Sequence, residues 1–548
     1  MPGVNMQGLM MNTPLTLTPL LERAARLFPS KEIASRTDAG MHRYTYRDFH
    51  ARVHRLAWAL KKMGVQPGDR VGSLCWNSHY HLELYFAVTC YGAVLHTLNL
   101  RLATDQLAYI INHADDRVIF VDTSLTGLLD QIRGELPNLC EVVVMDEESP
   151  YEEMLAAAPA GPYPWPQLDE TAACATCYTS GTTGHPKGVL YSHRSLVLHS
   201  YGLAMADTFA LSERDTVLQL VPMFHANGWG IPFAAVMVGS KIVLSGRHLQ
   251  PNDIAEMIET ERVTFTAGVP TLWMSLYGLL ESEKHDISSL RTIAAAGSAL
   301  PRQFVEWYEQ KYGVRFMLAW GMTETTPIAT VVAMKQHLES LTGKDRYDLL
   351  ARHGLPIAGI ELRIVDEFGA ELPWDGETMG ELQIRGPWVT SGYFNDPRGE
   401  ERGQAESFMD GWFRTGDVAT IDSEGYIQIM DRTKDLVKSG GEWISSVDLE
   451  NAIMAHPKVM EAAVIAVPHP KWQERPVAAV ALRPQYRGQV TKEEILDFLK
   501  DRVAKWWLPD DVIFIDAVPK TSVGKFNKRA LREQFKDYSL PAQSTQSV

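Results

Sequence analysis

Residues 177–188 read Cys-Tyr-Thr-Ser-Gly-Thr-Thr-Gly-His-Pro-Lys-Gly, a loop of small and hydroxylated residues set between two apolar runs. Gly181, Gly184 and Gly188 let backbone N–H groups approach an anion with no Cβ in the way. Thr179, Ser180, Thr182 and Thr183 add hydroxyl donors, and Lys187 adds one mobile positive charge. Such a loop is built to hold phosphate. Pro186 precedes the lysine and Gly188 follows it, so the order is not G-x-x-x-x-G-K-[ST] and a Walker-type NTPase is disfavoured. A flexible linker would require neither Pro186-Lys187-Gly188 nor the apolar flanks.

The surrounding pattern alternates. Thr18-Pro19 followed by Leu20, Leu21, Ala24, Leu27 and Phe28 reads as a capped amphipathic helix. Tyr80 to Tyr91 reads as a helix, and Arg117 to Val121 and Glu141 to Met145 as strands. After the loop come a strand at Val189 to Ser192, a helix at Ser195 to Ala204, and strands at Val217 to Val221, Lys241 to Leu244, Val263 to Ala267 and Thr292 to Ala296. This alternation predicts an α/β protein with mostly parallel sheet, its large N-terminal domain made of two α/β layers. Open α/β sheets bind ligands in the crevice outside their strand ends.

At 548 residues the chain exceeds one domain and can bury a large core. Its 52 basic and 67 acidic residues give a net charge of −15, which argues against a nucleic-acid surface. A polyphosphate must then be met by local donors and lysines. Five cysteines without a disulfide framework suit a reducing compartment. Cys174 and Cys177 fit C-x-x-C, but no second pair follows, and they read as structural residues of a buried strand. Met1 to Leu17 lacks the pattern of a signal peptide, and no apolar run reaches the roughly 18 residues of a spanning helix. The expectation is a cytoplasmic protein with at most transient membrane association.

Further stretches carry chemistry. Pro222-Met223-Phe224-His225-Ala226-Asn227-Gly228-Trp229 follows a strand and precedes a Gly-rich turn, which on residue chemistry alone makes His225 a pocket wall. Ala295 to Ala299, with Gly297 and Ser298, could admit a flat ring against the backbone or serve tight packing. In Trp320-Gly321-Met322-Thr323-Glu324-Thr325-Thr326-Pro327 an aromatic can stack on adenine, a hydroxyl can contact phosphate, and a carboxylate can hold Mg²⁺. From Ile360 to Ile429 short β runs at Leu362 to Val365, Glu381 to Ile384 and Tyr426 to Met430 predict a small β-barrel-like subdomain, ending in Gly411-Trp412-Phe413-Arg414-Thr415-Gly416-Asp417. Asp431-Arg432-Thr433-Lys434-Asp435 reads as a solvated linker and divides residues 1–431 from 432–548. The second part reads as a small α+β domain, with helices at Val447 to Ala455 and Lys492 to Val503 and strands at Ala462 to Val467, Val477 to Leu482 and Val512 to Phe514. The lysines around Pro519 to Lys525 read as surface lysines, a reading kept for Lys520 and Lys528.

Tyr178 to Gly188, with the Trp320, Gly411, Asp431 and Pro519 stretches in that order, resembles the motif series of the adenylate-forming superfamily. That superfamily comprises acyl-CoA synthetases, aryl-CoA ligases, peptide-synthetase adenylation domains and luciferases. The resemblance covers nearly the whole chain. It is nearest to bacterial medium- and long-chain fatty-acyl-CoA synthetases through His225 to Trp229, Lys438 to Ser445 and His469-Pro470-Lys471-Trp472-Gln473-Glu474. It implies ATP or AMP contacts from Thr179, Ser180, Gly181, Thr182, Thr183, Gly184, Lys187, Gly297, Trp320, Gly321, Met322, Thr323, Asp417, Arg432, Lys434 and Lys438. Asp417 would accept the ribose hydroxyls, and Trp320 stands where the family commonly has tyrosine. Thr179 and Glu324 would carry Mg²⁺. Lys525, His225 and Glu324 would be catalytic, while Ala226, Trp229, Ser298, Gly440, Gly441 and Trp443 would line the acyl and CoA paths, Trp229 as a gate.

The implied reaction is attack of a carboxylate on the α-phosphate of MgATP, giving acyl-AMP and pyrophosphate, then displacement of AMP by the thiol of CoA. The carboxylate is already ionised, so orientation and charge neutralisation remain as the enzyme's task, and positioning can supply about 7–11 kcal/mol. Rotation about Lys434 would withdraw Lys525 between the steps. The implied partners are therefore ATP, a fatty acid and CoA, and the resemblance to family members that form dimers implies a homodimer. Alternatives are a CoA ligase for a short thioether or branched acid, an acyl-AMP ligase serving a carrier protein, a luciferase-like oxygenase, and a nucleotide sensor.

Overall fold

The structure is a computed structural model and describes residues 8–179, 185–297, 300–396, 407–439, 442–520, 526–536, 538 and 540, with Glu442 and Trp443 by backbone alone. Two large sheets form the N-terminal part. The six-stranded sheet runs Glu141–Met145, Asp116–Asp122, Arg70–Leu74, Val94–Thr97, Ala173–Tyr178, Gly188–Ser192. All its neighbours are parallel except the last pair. The nine-stranded sheet runs Leu355–Pro356, Ile328–Val331, Arg315–Gly321, Thr292–Ala295, Phe265–Gly268, Thr216–Gln219, Lys241–Leu244, Glu32–Thr37, Gly40–Thr45. Its middle is parallel and its ends antiparallel.

Helix His79–Tyr91 lies between the two sheets and touches strands of both. All of its residues are buried, because a helix sandwiched this way has no solvent face to keep polar. Ser78 caps it through the N–H of His81, and Gly92 at φ 95° ends it. The first helix, Thr18–Leu27, departs from its expected cap: Leu17 occupies the N-cap and no side chain bonds there. Leu20, Leu21 and Ala24 are buried, while Leu27 is exposed because it lies on the outer face of the last turn.

Gly188–Ser192 pairs back on Ala173–Tyr178, so the phosphate loop joins two strands of a hairpin. Cys174 and Cys177 are buried, unpaired and directed at different partners, the carbonyl of Tyr191 and the Asn227 side chain. Burial pushes the Cys177 thiol up to about 11, which keeps it protonated.

Glu361–Val365, Gly380–Arg385, Phe408–Met409, Trp412–Ile421 and Ile427–Arg432 form the antiparallel β subdomain. The C-terminal sheet centres on the hairpin Val459–His469 and Gln473–Leu482, with Asp511–Phe514 parallel to the latter. Its two faces both carry apolar side chains: Ala462, Val464 and Val480 pack on Leu449 and Ile453, while Ala463, Ile465 and Val477 face Val518 and Leu531. Both faces covered explains why these strands read as unbroken apolar runs. Helix Lys492–Leu499 is shorter than its pattern suggested.

Lys528 corrects its surface reading. Its ammonium is buried 2.7 Å from Glu450 and beside the Ser446 hydroxyl, which bonds Asp431. Lys520 does lie at the surface, 2.6 Å from Glu461. Among the described residues no helix is long and apolar enough to cross a membrane.

Candidate active site

The hairpin end closes on itself below the phosphate loop. The Thr179 N–H donates to the Lys187 carbonyl at 2.9 Å, and the Lys187 N–H donates to Thr179 Oγ1 at 3.1 Å. Ser180, Gly181, Thr182, Thr183 and Gly184 lie outside the described residues, as do Ser298, Gly440, Gly441 and Lys525, and the side chain of Trp443. The segment 393–395 braces the base from the side. The Phe394 N–H bonds the Gly188 carbonyl at 2.9 Å, and His113 joins the Tyr178 hydroxyl at 2.7 Å to the Asn395 carbonyl at 3.1 Å. A carbonyl only accepts, so His113 donates from Nε2 and accepts the Tyr178 O–H at Nδ1.

Tyr393 then links charge to charge. Its ring lies 4.7 Å from Lys187 Nζ, and its hydroxyl donates to Glu324 Oε1 at 2.7 Å. Glu324 sits on the 3₁₀ turn Thr323–Thr325 directly after strand Arg315–Gly321, its backbone carbonyl held by the Thr390 N–H and its neighbour's by the Tyr191 hydroxyl. One carboxylate oxygen is thus committed to Tyr393, while no hydrogen bond to Oε2 is found among the described residues.

Trp320 and Asp417 meet from different sheets. The indole N–H donates to Asp417 Oδ2 at 2.9 Å, and the Arg432 guanidinium lies 2.7 Å from Oδ1. Asp417 is only 3% exposed, and its charge raises the Arg432 guanidinium further above its usual value. The next strand brings Arg432 opposite Asp417 in register.

The opposite wall is a backbone device. Ala226, Asn227, Gly228, Trp229 and Gly230 run consecutively at φ 43°, 52°, 62°, 59° and 70°. A left-handed turn costs each non-glycine residue about 1–2 kcal/mol. The turn is held from behind: Gln219 Nε2 donates to the Val221 and Gly228 carbonyls at 2.7 and 3.2 Å, and the Cys177 thiol donates to Asn227 Oδ1 at 3.3 Å. A Cβ on Gly228 would stand 2.8 Å from Gln219 Nε2, and one on Gly230 would stand 2.5 Å from His199 Nδ1.

One cavity of about 730 Å³ gathers Thr179, Lys187, His225, Trp229, Gly297, Trp320, Gly321, Met322, Thr323, Glu324, Asp417, Arg432 and Lys434. Ala226 is buried beside it and Lys438 is exposed away from it, its N–H on Glu474. Leu249, Val269, Pro270, Leu272, Met274 and Pro301 give the cavity an apolar end, and Glu450, Asn527 and Lys528 of the C-terminal part line it as well. Sequence reasoning gave no role to Tyr393 or to the helix Pro270–Ser282 that supplies the apolar wall. The aromatic in Ser391-Gly392-Tyr393-Phe394 was the only signal for the former, and the apolar first turn after Pro270 for the latter.

The AMP-binding enzyme family matches residues 21–394, and the AMP-binding enzyme C-terminal domain matches residues 448–525. A long-chain-fatty-acid–CoA ligase of Thermus thermophilus is 51% identical, over 96% of this chain and 97% of its own. A 3-methylmercaptopropionyl-CoA ligase of Ruegeria lacuscaerulensis is 43% identical, over 97% and 99%. Among solved structures, an anthranilate CoA ligase in complex with anthranoyl-AMP superposes with a TM-score of 0.84 at 27% identity, covering 95% of this chain and 98% of that one. With its motif residues gathered on one cavity and both family models matched in order, this chain belongs to the AMP-binding enzyme family, the adenylate-forming enzymes.

Proposed function

We propose that this AMP-forming acyl-CoA synthetase converts a medium- to long-chain fatty acid to acyl-AMP with release of pyrophosphate, and then to acyl-CoA with release of AMP. The observation that carries the reading is the single cavity with a charged, hydroxyl-bearing end at Lys187, Thr179 and Asp417 and an apolar end at Leu249, Leu272 and Met274. The ligase activity named for the Thermus relative supports the long-chain form.

In this reading Lys187 and Thr179 meet the triphosphate, Asp417 the ribose, and His225 and Trp229 the reacting carboxyl and the acyl entry. Oxygen donors at Glu324 Oε2 and Thr179 Oγ1 suit Mg²⁺, and a single carboxylate means that most ligands of the cation come from ATP and water. Charge neutralisation at the departing pyrophosphate is what the cation supplies when bound. The acid arrives ionised, so no residue need act as base; Lys525 orients the carboxylate and phosphate against each other. Residues 1–431 and 432–548 act as separate bodies hinged at Lys434, so that Gly440, Gly441 and Trp443 admit the thiol in the second step. The protein works in the cytoplasm as a homodimer.

The 3-methylmercaptopropionyl-CoA ligase relative favours a second reading, a short thioether acid. Pyrophosphate release with MgATP across saturated fatty acids and short thioether acids, with and without CoA, separates the two. Release that peaks at a medium or long chain and rises with CoA is expected. A peak at the thioether acid would replace the substrate, and release indifferent to CoA would replace the acceptor.

A further inference from the structure

The cavity holds one bond that stacking on adenine does not require. Trp320 is the penultimate residue of strand Arg315–Gly321 of the nine-stranded sheet, and Asp417 lies 97 residues away on strand Trp412–Ile421 of the β subdomain. Their side chains meet at 2.9 Å, indole Nε1 to Oδ2, with Trp320 7% and Asp417 3% exposed. Indole nitrogen donates and never accepts, so this bond has one direction at any pH. Arg432 Nε approaches the other oxygen at 2.7 Å, and the Asp417 N–H is spent on Thr415 Oγ1 at 3.0 Å.

We propose that Trp320 is a positioning residue for ribose, its indole N–H fixing the plane of the Asp417 carboxylate so that each oxygen offers its remaining lone pair to one hydroxyl of the 2′,3′-diol. This rests on the reading of Asp417 as the ribose contact. A carboxylate can accept about four hydrogen bonds. Two donors, one on each oxygen, remove its freedom to rotate about the Cβ–Cγ bond. Trp320, Gly321, Asp417 and Arg432 all line the cavity, so the free edge of the carboxylate faces the ligand space. A ring without a donor at this position would keep an aromatic face for the base and lose the constraint on the sugar.

The two roles separate in a cycle between protein and ligand. Binding of AMP, 2′-deoxy-AMP and 3′-deoxy-AMP is measured by calorimetry on the full-length wild type, Trp320→Phe and Asp417→Asn. In the wild type each deoxygenation is expected to weaken binding by about 10- to 100-fold, the range of one hydrogen bond to a charged group. Asp417→Asn should flatten that penalty, and Trp320→Phe should reduce it to a few-fold while still binding the deoxynucleotides nearly as the wild type does. Trp320→His, a smaller ring that retains an N–H donor, should recover part of the discrimination and serves if the phenylalanine variant does not fold. An undiminished penalty in Trp320→Phe, or an equal loss for all three ligands, overturns the proposal. A wild type that ignores the sugar hydroxyls overturns the ribose reading itself, a result distinct from either.

Discussion

The two ends of the cavity are built by opposite means. At the charged end, regular strands from two sheets deliver Trp320, Asp417 and Arg432, and each oxygen of the Asp417 carboxylate has a donor within 2.9 Å. At the apolar end, helix Pro270–Ser282 supplies one wall and an irregular turn of five left-handed residues, reaching the cavity through Trp229, supplies another, and Asn227 Nδ2 and His199 Nδ1 lack a partner among the described residues. A polar ligand is recognised by donors and acceptors, so the first end invests in side-chain pairing on a relaxed backbone. An apolar surface offers nothing to pair with, so the second end is shaped by side-chain packing from helix Pro270–Ser282 and, at the turn, by backbone. Strain held at such a place persists only because the surroundings over-determine it. Here Gln219, Cys177 and His199 do so from behind.

The comparison is broken most severely at Asp417. Asp417→Ala leaves Arg432 and the Trp320 N–H facing an empty site and removes both proposed sugar contacts. Two hydrogen bonds to a charged group amount to about 3–6 kcal/mol, or roughly 10²–10⁴ in kcat/KM for ATP. The KM of the acid should change little, which a two-substrate kinetic matrix reads directly. Equal losses for both substrates would mean that the two ends are not independent.

At the apolar end the sensitive position is Gly230. Gly230→Ala places a Cβ 2.5 Å from a fully buried imidazole and adds a non-glycine residue at φ 70°. The left-handed conformation and the overlap together cost about 2–4 kcal/mol. The melting temperature should fall, and the KM of the acid should rise while AMP affinity holds. An unchanged acid KM at full folding would show that the turn does not shape the acyl wall.

Most strands and helices were legible because apolar runs in this chain are bounded by Gly, Pro and polar turns, and each motif residue follows such a boundary. The bonds between motifs were not. Trp320 and Asp417 read separately as a stacking ring and a turn carboxylate, since 97 residues and a change of sheet divide them. Tyr393 reaches Glu324 across 69 residues, and nothing local marks it as more than an aromatic beside glycine. Lys528 sits in a charged stretch that reads as surface until Glu450, far upstream, closes over it. His225 to Trp229 announces a turn through its glycines and Asn227. The left-handed Ala226 and Trp229 contradict local preference and are imposed by packing.

His199 connects the two ends and gives the smallest and most selective test. Its Nε2 accepts the Ile328 N–H at 3.2 Å, on the strand that follows the Trp320 motif, while its other nitrogen faces Gly230. The acceptor role leaves no room for a second ring proton, and burial pushes the imidazole down to about 3, from an ordinary value of 6.5. As pH falls below 6.5 the unfolded chain takes up this proton and the folded one does not. The stabilisation is therefore complete above 6.5 and is lost progressively towards 3, at about 1.4 kcal/mol per unit, or roughly 2 kcal/mol by pH 5. His81, His193 and His353, also held low by burial, add to the overall acid sensitivity but are common to both proteins compared. In His199→Gln the new side-chain amide oxygen can still accept the Ile328 N–H, and the difference in urea stability between pH 7.5 and pH 5 should shrink by about 2 kcal/mol relative to wild type. An identical pH difference in the two proteins would mean that His199 is protonated as readily in the fold as out of it, and that its hydrogen bond to the Ile328 N–H does not hold it neutral.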